Sequence, residues 1–315
     1  LRNQSCRLIV AGCNLTVEVR RTARFFGNVQ QTTNNPSPAV RYTLILTLTL
    51  ALCFAAQGFV LHRSGGAPKG ESNYFSSLGR LQSGARGNPE VMVLGSSITG
   101  RLPDRAHGFT GWANMGCDGG SAVDALRAMD AGILPAAPLL VIEANTLHMP
   151  LEPSVGIGDS IRGSWFQLGI RIPAIASDAR PASFLYSKLL ARKIGGFGTA
   201  NSDEDLEVAT RPEIVSGNFP IELNPAQEAL VEEVRGILER LHDRGSRAVI
   251  VWLPPARTGG DFLMELTREM ARRSGVPYWD LGQQAAPGTV ELTDGVHMAP
   301  ASAARTMRSL GNITR

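Results

Sequence analysis

Cysteine is scarce in this chain, and the few it has are badly placed for a framework. Three of the four (Cys6, Cys13, Cys53) precede residue 64, so Cys117 stands alone in the region rich enough in apolar residues to fold. A lone thiol forms no internal disulfide, and no Cys-x-x-Cys or Cys/His spacing suggests zinc. Positive charge is also missing where a nucleic-acid binder needs it. Residues 1–63 carry seven Arg, no Lys and one acid, Glu18, which leaves 24 bases against 27 acids in the remainder. A binder of DNA or RNA shows the opposite, a basic folded face. The net charge of +3 therefore points to no nucleic-acid partner.

With 315 residues, 43% of them hydrophobic, the chain has room for one large domain plus appendages. Residues 1–41 are polar and Arg-bearing, without a sustained period, and are expected to be disordered and cytoplasmic. Leu1 is not an initiator residue, so translated sequence upstream of the true start is expected in this stretch.

Residues 42–61 (YTLILTLTLALCFAAQGFVL) carry no charge. At 1.5 Å per residue such a helix is about 30 Å long, the thickness of a bilayer's hydrocarbon core. Arg20, Arg21, Arg24 and Arg41 precede it, and the positive-inside tendency then puts the N-terminus in the cytoplasm and the rest outside. The expectation is a single-pass signal anchor in the cytoplasmic membrane with a periplasmic domain. Two alternatives stay open: a signal cleaved near Cys53-Phe54-Ala55, and a buried core helix. Residues 62–88, rich in Gly and Ser, read as a flexible linker.

From residue 89 the pattern alternates. Strand-like runs at 90–95, 138–143, 247–253 and 276–281 are separated by helix-like segments. Asn224-Pro225 opens one helix with a cap and an N1 proline; Leu230, Val234, Ile237, Leu238 and Leu241 mark its buried face, and Gly245 ends it. Asp261–Ser274 is a second, burying Phe262, Leu266 and Met270. Alternating strands and helices predict an α/β domain over 89–315, a central parallel sheet covered on both faces. Residues 150–223 break the alternation with repeated prolines and one helix-like stretch, Ala182–Ile194. This insertion reads as a lid over the carboxyl edge of the sheet or as ordinary packing by Phe184, Leu185, Leu189 and Leu190.

Four local patterns carry chemistry. Gly95-Ser96-Ser97-Ile98-Thr99 follows a buried strand, the place where open α/β sheets present side chains to ligands. Taken alone, either serine also fits a helix cap. Asn114–Gly120 is a glycine-rich turn before a helix-like Ser121–Asp130. Glu143-Ala144-Asn145-Thr146 ends the second strand, and Asp294-Gly295-Val296-His297 precedes a last helix, Ala301–Leu310. A serine hydroxyl becomes nucleophilic when a base takes its proton, and His titrates near neutrality. The imidazole in turn needs an acceptor, which Asp294 supplies three residues before His297. Ester attack creates an oxyanion, for which the N–H groups of Ser97 and Gly116 and the amide of Asn145 are candidate donors. His107 and His148 are left over, and His148 has no Asp at useful spacing.

The ordered set resembles the SGNH (GDSL-like) hydrolase family, whose blocks map to Ser97, Gly116, Asn145 and Asp294/His297 over residues 88–147 and 240–310. That resemblance implies a flavodoxin-like three-layer sandwich and a serine esterase that needs no cofactor or metal. It also implies an ester substrate, a small molecule or an envelope carbohydrate. An O-acyltransferase, or an inactive domain that binds a glycan or a partner, remains the alternative. Two departures are plain: Ser96 stands where the family usually has Asp, and Glu143-Ala144-Asn145-Thr146 keeps only the Asn of its Gly-x-Asn-Asp. Thr99 also rules out the Gly-x-Ser-x-Gly elbow of α/β-hydrolases.

Overall fold

A computed structural model describes residues 9–10, 13–14, 37–63, 71–151, 158–177, 180, 221–254, 261–284 and 290–314. The expected helix at 182–194 and most of the segment 1–41 lie outside the described residues. The chain divides into two units, Leu1–Gly66 and Ala67–Arg315.

The first unit holds a two-residue antiparallel pair (Ile9–Val10 with Cys13–Asn14) and one long helix, α1 (Pro38–Arg63). Over Pro38–Ala56 the mean hydropathy is 1.8 and none of that window is buried. By length and composition α1 can cross a membrane. Its threonines suit such a place, because Thr43, Thr47 and Thr49 return their hydroxyls to carbonyls four residues back, at 2.9, 2.8 and 2.8 Å. These three hydroxyls are thus satisfied within the helix.

The second unit is the expected α/β domain. Its strands are β1 (Val91–Gly95), β2 (Trp112–Gly116), β3 (Leu139–Glu143), β4 (Arg247–Trp252) and β5 (Tyr278–Asp280). All pair in parallel in the order β2-β1-β3-β4-β5. The direction of winding reverses between β1 and β3, and at such a switch point the carboxyl ends of the strands part and leave a crevice. The helices are α2 (Glu71–Gly84), the single turn α3 (Ser97–Gly100), α4 (Ala122–Asp130), α5 (Gly158–Arg162), α6 (Ser164–Arg171), α7 (Pro225–Asp243), α8 (Asp261–Ser274), α9 (Leu281–Gln284) and α10 (Pro300–Ile313).

Both faces of the sheet are covered, which is why its central strands are continuous apolar runs. Met92, Leu94, Leu140, Ile142, Ile250 and Tyr278 enter one core with α2, α4, α7 and α8. Their neighbours Val93, Val141, Val249, Val251 and Trp279 enter a second with α3 and α10. The capping of α7 follows its sequence: Asn224 Oδ1 accepts from the N–H groups of Ala226 and Gln227, and Gln227 closes the box on Asn224 N–H. In α8, Leu266 and Met270 are fully buried, whereas Phe262 is 39% exposed and lies outside the core.

Two further expectations fail here. Residues 71–84 are helix and not linker, with Ser77, Leu78, Leu81 and Gln82 buried. Gly and Ser serve close packing in α2: a Cβ on Gly84 would lie 2.1 Å from Met115 Sδ. Buried Gln82 donates to Phe166 O at 3.0 Å and accepts from Ser177 N–H at 2.7 Å. The second failure is β2, an edge strand across the start of what reads as a glycine-rich turn. Within the insertion, Ile161 and Phe166 join the first core, while Phe184, Leu185, Leu189 and Leu190 lie outside the described residues.

Candidate active site

Strand β1 ends at Gly95, and the next two residues divide the work that the sequence left open. Ser96 is the cap of α3, its Oγ accepting from Ile98 N–H at 3.1 Å. Ser97, the first residue of α3, sends its Oγ to His297 Nε2 at 2.9 Å. These two residues are brought together across the whole domain, by the ends of β1 and of the loop before α10.

That loop is a closed unit. Leu292 and Met298 form an antiparallel bridge, Thr293 N–H donates to His297 O at 2.8 Å, and Gly295 turns at φ 81°. Inside it, Asp294 Oδ1 accepts from Val296 N–H (3.2 Å) and His297 N–H (2.8 Å), while Oδ2 meets His297 Nδ1 at 2.7 Å. An ionised carboxylate only accepts, so the imidazole proton belongs on Nδ1 and the Nε2 lone pair faces the Ser97 hydroxyl. Burial alone would raise the Asp294 carboxyl; the hydrogen bonds from His297 and Val296 outweigh it and hold the group at about 2. Asp294 is therefore charged wherever the imidazole is neutral, and ready to stabilise the imidazolium.

No protein-family model matches this chain, and no curated protein does. The chemistry of the site is therefore read from its own geometry.

The turn that carries Ser97 is held from β3. Glu143 has no exposed surface. Its Oε2 accepts from the N–H groups of Ser96 (2.9 Å) and Thr99 (3.1 Å) and from Thr99 Oγ1 (2.6 Å). Its Oε1 accepts from Ser96 Oγ (2.7 Å) and Thr146 Oγ1 (3.0 Å). The two departures from the family pattern, Ser96 and Glu143, are thus hydrogen-bonded to one another. Gly95 makes room for this, since a Cβ there would lie 2.2 Å from Thr99 Oγ1 and 2.3 Å from Glu143 Oε2. The signal in the sequence was present as an acid ending β3, but its partners were not visible.

The expected oxyanion donors fare unequally. Gly116 is not available: its N–H donates to Asn114 Oδ1 at 2.8 Å, and a Cβ on it would meet Gly100 N at 2.3 Å. Its missing side chain serves the packing of β2 against α3. Asn114 staples the same junction, donating at 2.7 Å to both Thr99 O and Leu102 O. Asn145 is pinned to the end of β4, giving one amide hydrogen to Leu253 O (2.8 Å) and accepting from Leu253 N–H (2.9 Å). An amide has two hydrogens, so one donor of Asn145 has no partner among the described residues. Ser97 N–H forms no hydrogen bond among the described residues. The same holds for exposed Gly119, which occupies a turn at φ 71° closed by Gly120 N–H on Cys117 O.

Rival nucleophiles and bases are accounted for. Cys117 is buried at 1% exposure, and burial pushes its thiol up to about 12, far from a reactive thiolate. Ser97 Oγ bonds to His297 and not to His107 or His148. His107 instead belongs to a second Asp-x-x-His, with Nδ1 3.0 Å from Asp104 Oδ1 at the cap of a short 3₁₀ turn, Arg105–His107.

Proposed function

We propose that this chain is a membrane-anchored serine esterase of the SGNH (GDSL-like) type, acting on O-acyl esters. The continuous hydrogen-bond path from Asp294 Oδ2 through His297 to Ser97 Oγ carries the reading. Ser97 Oγ attacks the acyl carbon as its proton passes to His297 Nε2, and the carbonyl electron pair moves onto oxygen. Ser97 N–H and the second amide hydrogen of Asn145 hold that oxyanion, with Gly119 N–H in the place first given to Gly116. Collapse breaks the ester C–O bond, and the leaving alcohol takes the proton from His297. Water then attacks the acyl-enzyme by the same proton route, releasing the acid and restoring the Ser97 hydroxyl. The parallel sheet with its switch point beside Ser97 supports the SGNH reading, as does the order of the four blocks.

The site faces the envelope in this proposal, because α1 is preceded by arginines and residues beyond it lie outside the cytoplasm. A carbohydrate bearing O-acyl groups is the proposed substrate, on the strength of the family resemblance. A fluorophosphonate probe tests the nucleophile: the full-length chain in detergent is labelled, and Ser97→Ala is not. Labelling of Ser97→Ala as strong as the parent's, or none of the folded parent, refutes it. Release of free acid separates hydrolysis from transfer to an acceptor sugar. A reporter fused after Leu61 that is active only in the cytoplasm refutes the topology.

A further inference from the structure

We propose that Glu143 is a positioning residue for the nucleophile, and that Ser96 and Thr99 are the handles by which it holds Ser97. The inference rests on the reading of Ser97 as nucleophile. Of the five hydrogen bonds to its carboxylate, four come from Ser96 and Thr99, which bracket Ser97 in the turn. Two of these donors are backbone amides with no exposed route to water. The partners are hydroxyls and amides, not a cation, and burying a carboxylate on such terms is costly. An apolar residue of similar volume would fill the space at lower cost. What it could not do is accept from both amides and both hydroxyls at once, and so fix α3 relative to the end of β3. The acceptor geometry therefore fits a role in aiming the Ser97 hydroxyl at His297 Nε2, 2.9 Å away. A misplacement of about 1 Å at such a contact costs about 10²-fold in rate.

The chemistry of the variants separates positioning from mere stability. In Glu143→Gln the remaining oxygen can face the amides of Ser96 and Thr99, while the new NH₂ donates to the hydroxyls of Ser96 and Thr146, which can accept. Glu143→Ala leaves both amides unpaired. Thr146→Val removes a donor outside the nucleophile turn.

The test measures inactivation of the full-length chain in detergent by a fluorophosphonate, resolved into limiting rate and half-saturating concentration, beside thermal unfolding. Glu143→Ala is expected to lower the limiting rate about 10²-fold at unchanged half-saturation. Glu143→Gln should keep it within about tenfold and Thr146→Val within about twofold of the parent. A folded Glu143→Ala with the parental limiting rate overturns the proposal, as does a Thr146→Val loss as large as that of Glu143→Ala. Should Glu143→Ala not fold, Thr99→Val decides: about tenfold slower inactivation supports the proposal, and the parental rate overturns it. A folded parent that takes no label overturns the nucleophile reading itself, and this inference with it, an outcome distinct from all of these.

Discussion

Asp104-Arg105-Ala106-His107 and Asp294-Gly295-Val296-His297 share a spacing and much of their local geometry, yet it is the second that reaches Ser97. In both, the Asp Oδ1 accepts backbone N–H groups just ahead: Ala106 at 2.9 Å in the first, Val296 and His297 at 3.2 and 2.8 Å in the second. In both, the His Nδ1 lies beside the carboxylate, at 3.0 and 2.7 Å. The difference lies in how the carboxylate is divided. Asp104 uses the same oxygen for the backbone and for the imidazole, and its own N–H faces Nδ1 at 3.4 Å, so the ring is turned back onto its cap. Asp294 gives one oxygen to the backbone and the other to the ring, leaving Nε2 aimed outward. The tetrapeptide encodes a local turn on the Asp side chain, a helix cap at Asp104 and a closed loop at Asp294; what the turn is used for depends on a serine 200 residues away in sequence.

The sharpest way to break this comparison is to delete each histidine. His297→Ala should slow fluorophosphonate inactivation about 10⁴-fold or more, because the base is lost outright. His107→Ala should stay within about twofold of the parent. Equal losses would mean that the two motifs are not functionally distinct.

That contrast also marks what was legible beforehand. The central strands were readable because burial on both faces demands unbroken apolar runs, as in Val91–Leu94 and Leu139–Ile142. Strand β2 was not, since Asn114 and Gly116 are turn residues by type and only the parallel ladder with β1 makes them a strand. Helix α2 was hidden for a related reason, its Ser and Gly serving close contact instead of flexibility. Ser97, His297 and Asp294 could be found from order and chemical type. The engagement of the Gly116 N–H could not, because that depends on which side chain lies two residues away in the folded strand.

Removing the carboxylates gives the next largest effect. Asp294→Ala should cost about 10³-fold in inactivation rate, as the imidazole loses its tautomer and its counter-charge. Asp104→Ala should leave the rate within about twofold and lower stability by about 1 kcal/mol, the worth of a cap. Thermal unfolding and inactivation, measured on the same samples, check both halves. A rate loss in Asp104→Ala would sink the division between them.

Each motif also has a glycine in left-handed backbone, Gly295 at φ 81° and Gly108 at φ 95°. An alanine at either position is strained, by about 1 kcal/mol, and at Gly295 its Cβ would meet nothing within 4 Å. Gly295 lies between Asp294 and His297, so relief of its strain shifts the ring; Gly108 only ends the 3₁₀ turn after His107. Gly295→Ala should therefore slow inactivation about tenfold while Gly108→Ala does not, at similar losses of stability. Matching rates in the two variants would show that the Asp294 loop tolerates movement that its role forbids.

The smallest effect is in pH. Asp294 is held at about 2 in the folded chain, below the ordinary value of about 3.9 for an unfolded Asp. A depressed carboxyl stabilises the fold in its ionised form. Its contribution is therefore complete above about pH 4 and is lost as pH falls through about 2, where the folded group also takes a proton. With its side chain 53% exposed, the amount is small and further reduced by salt. Once the ring beside it is charged, the difference in unfolding stability between the parent and Asp294→Asn should hold down to about pH 4, and then shrink. A difference that stays constant from about pH 4 down to about pH 2 would show that the hydrogen bonds from His297 and Val296 do not hold this carboxylate in its charged form. In that case Asp294 would do no more than close its own loop, as Asp104 does no more than cap its turn.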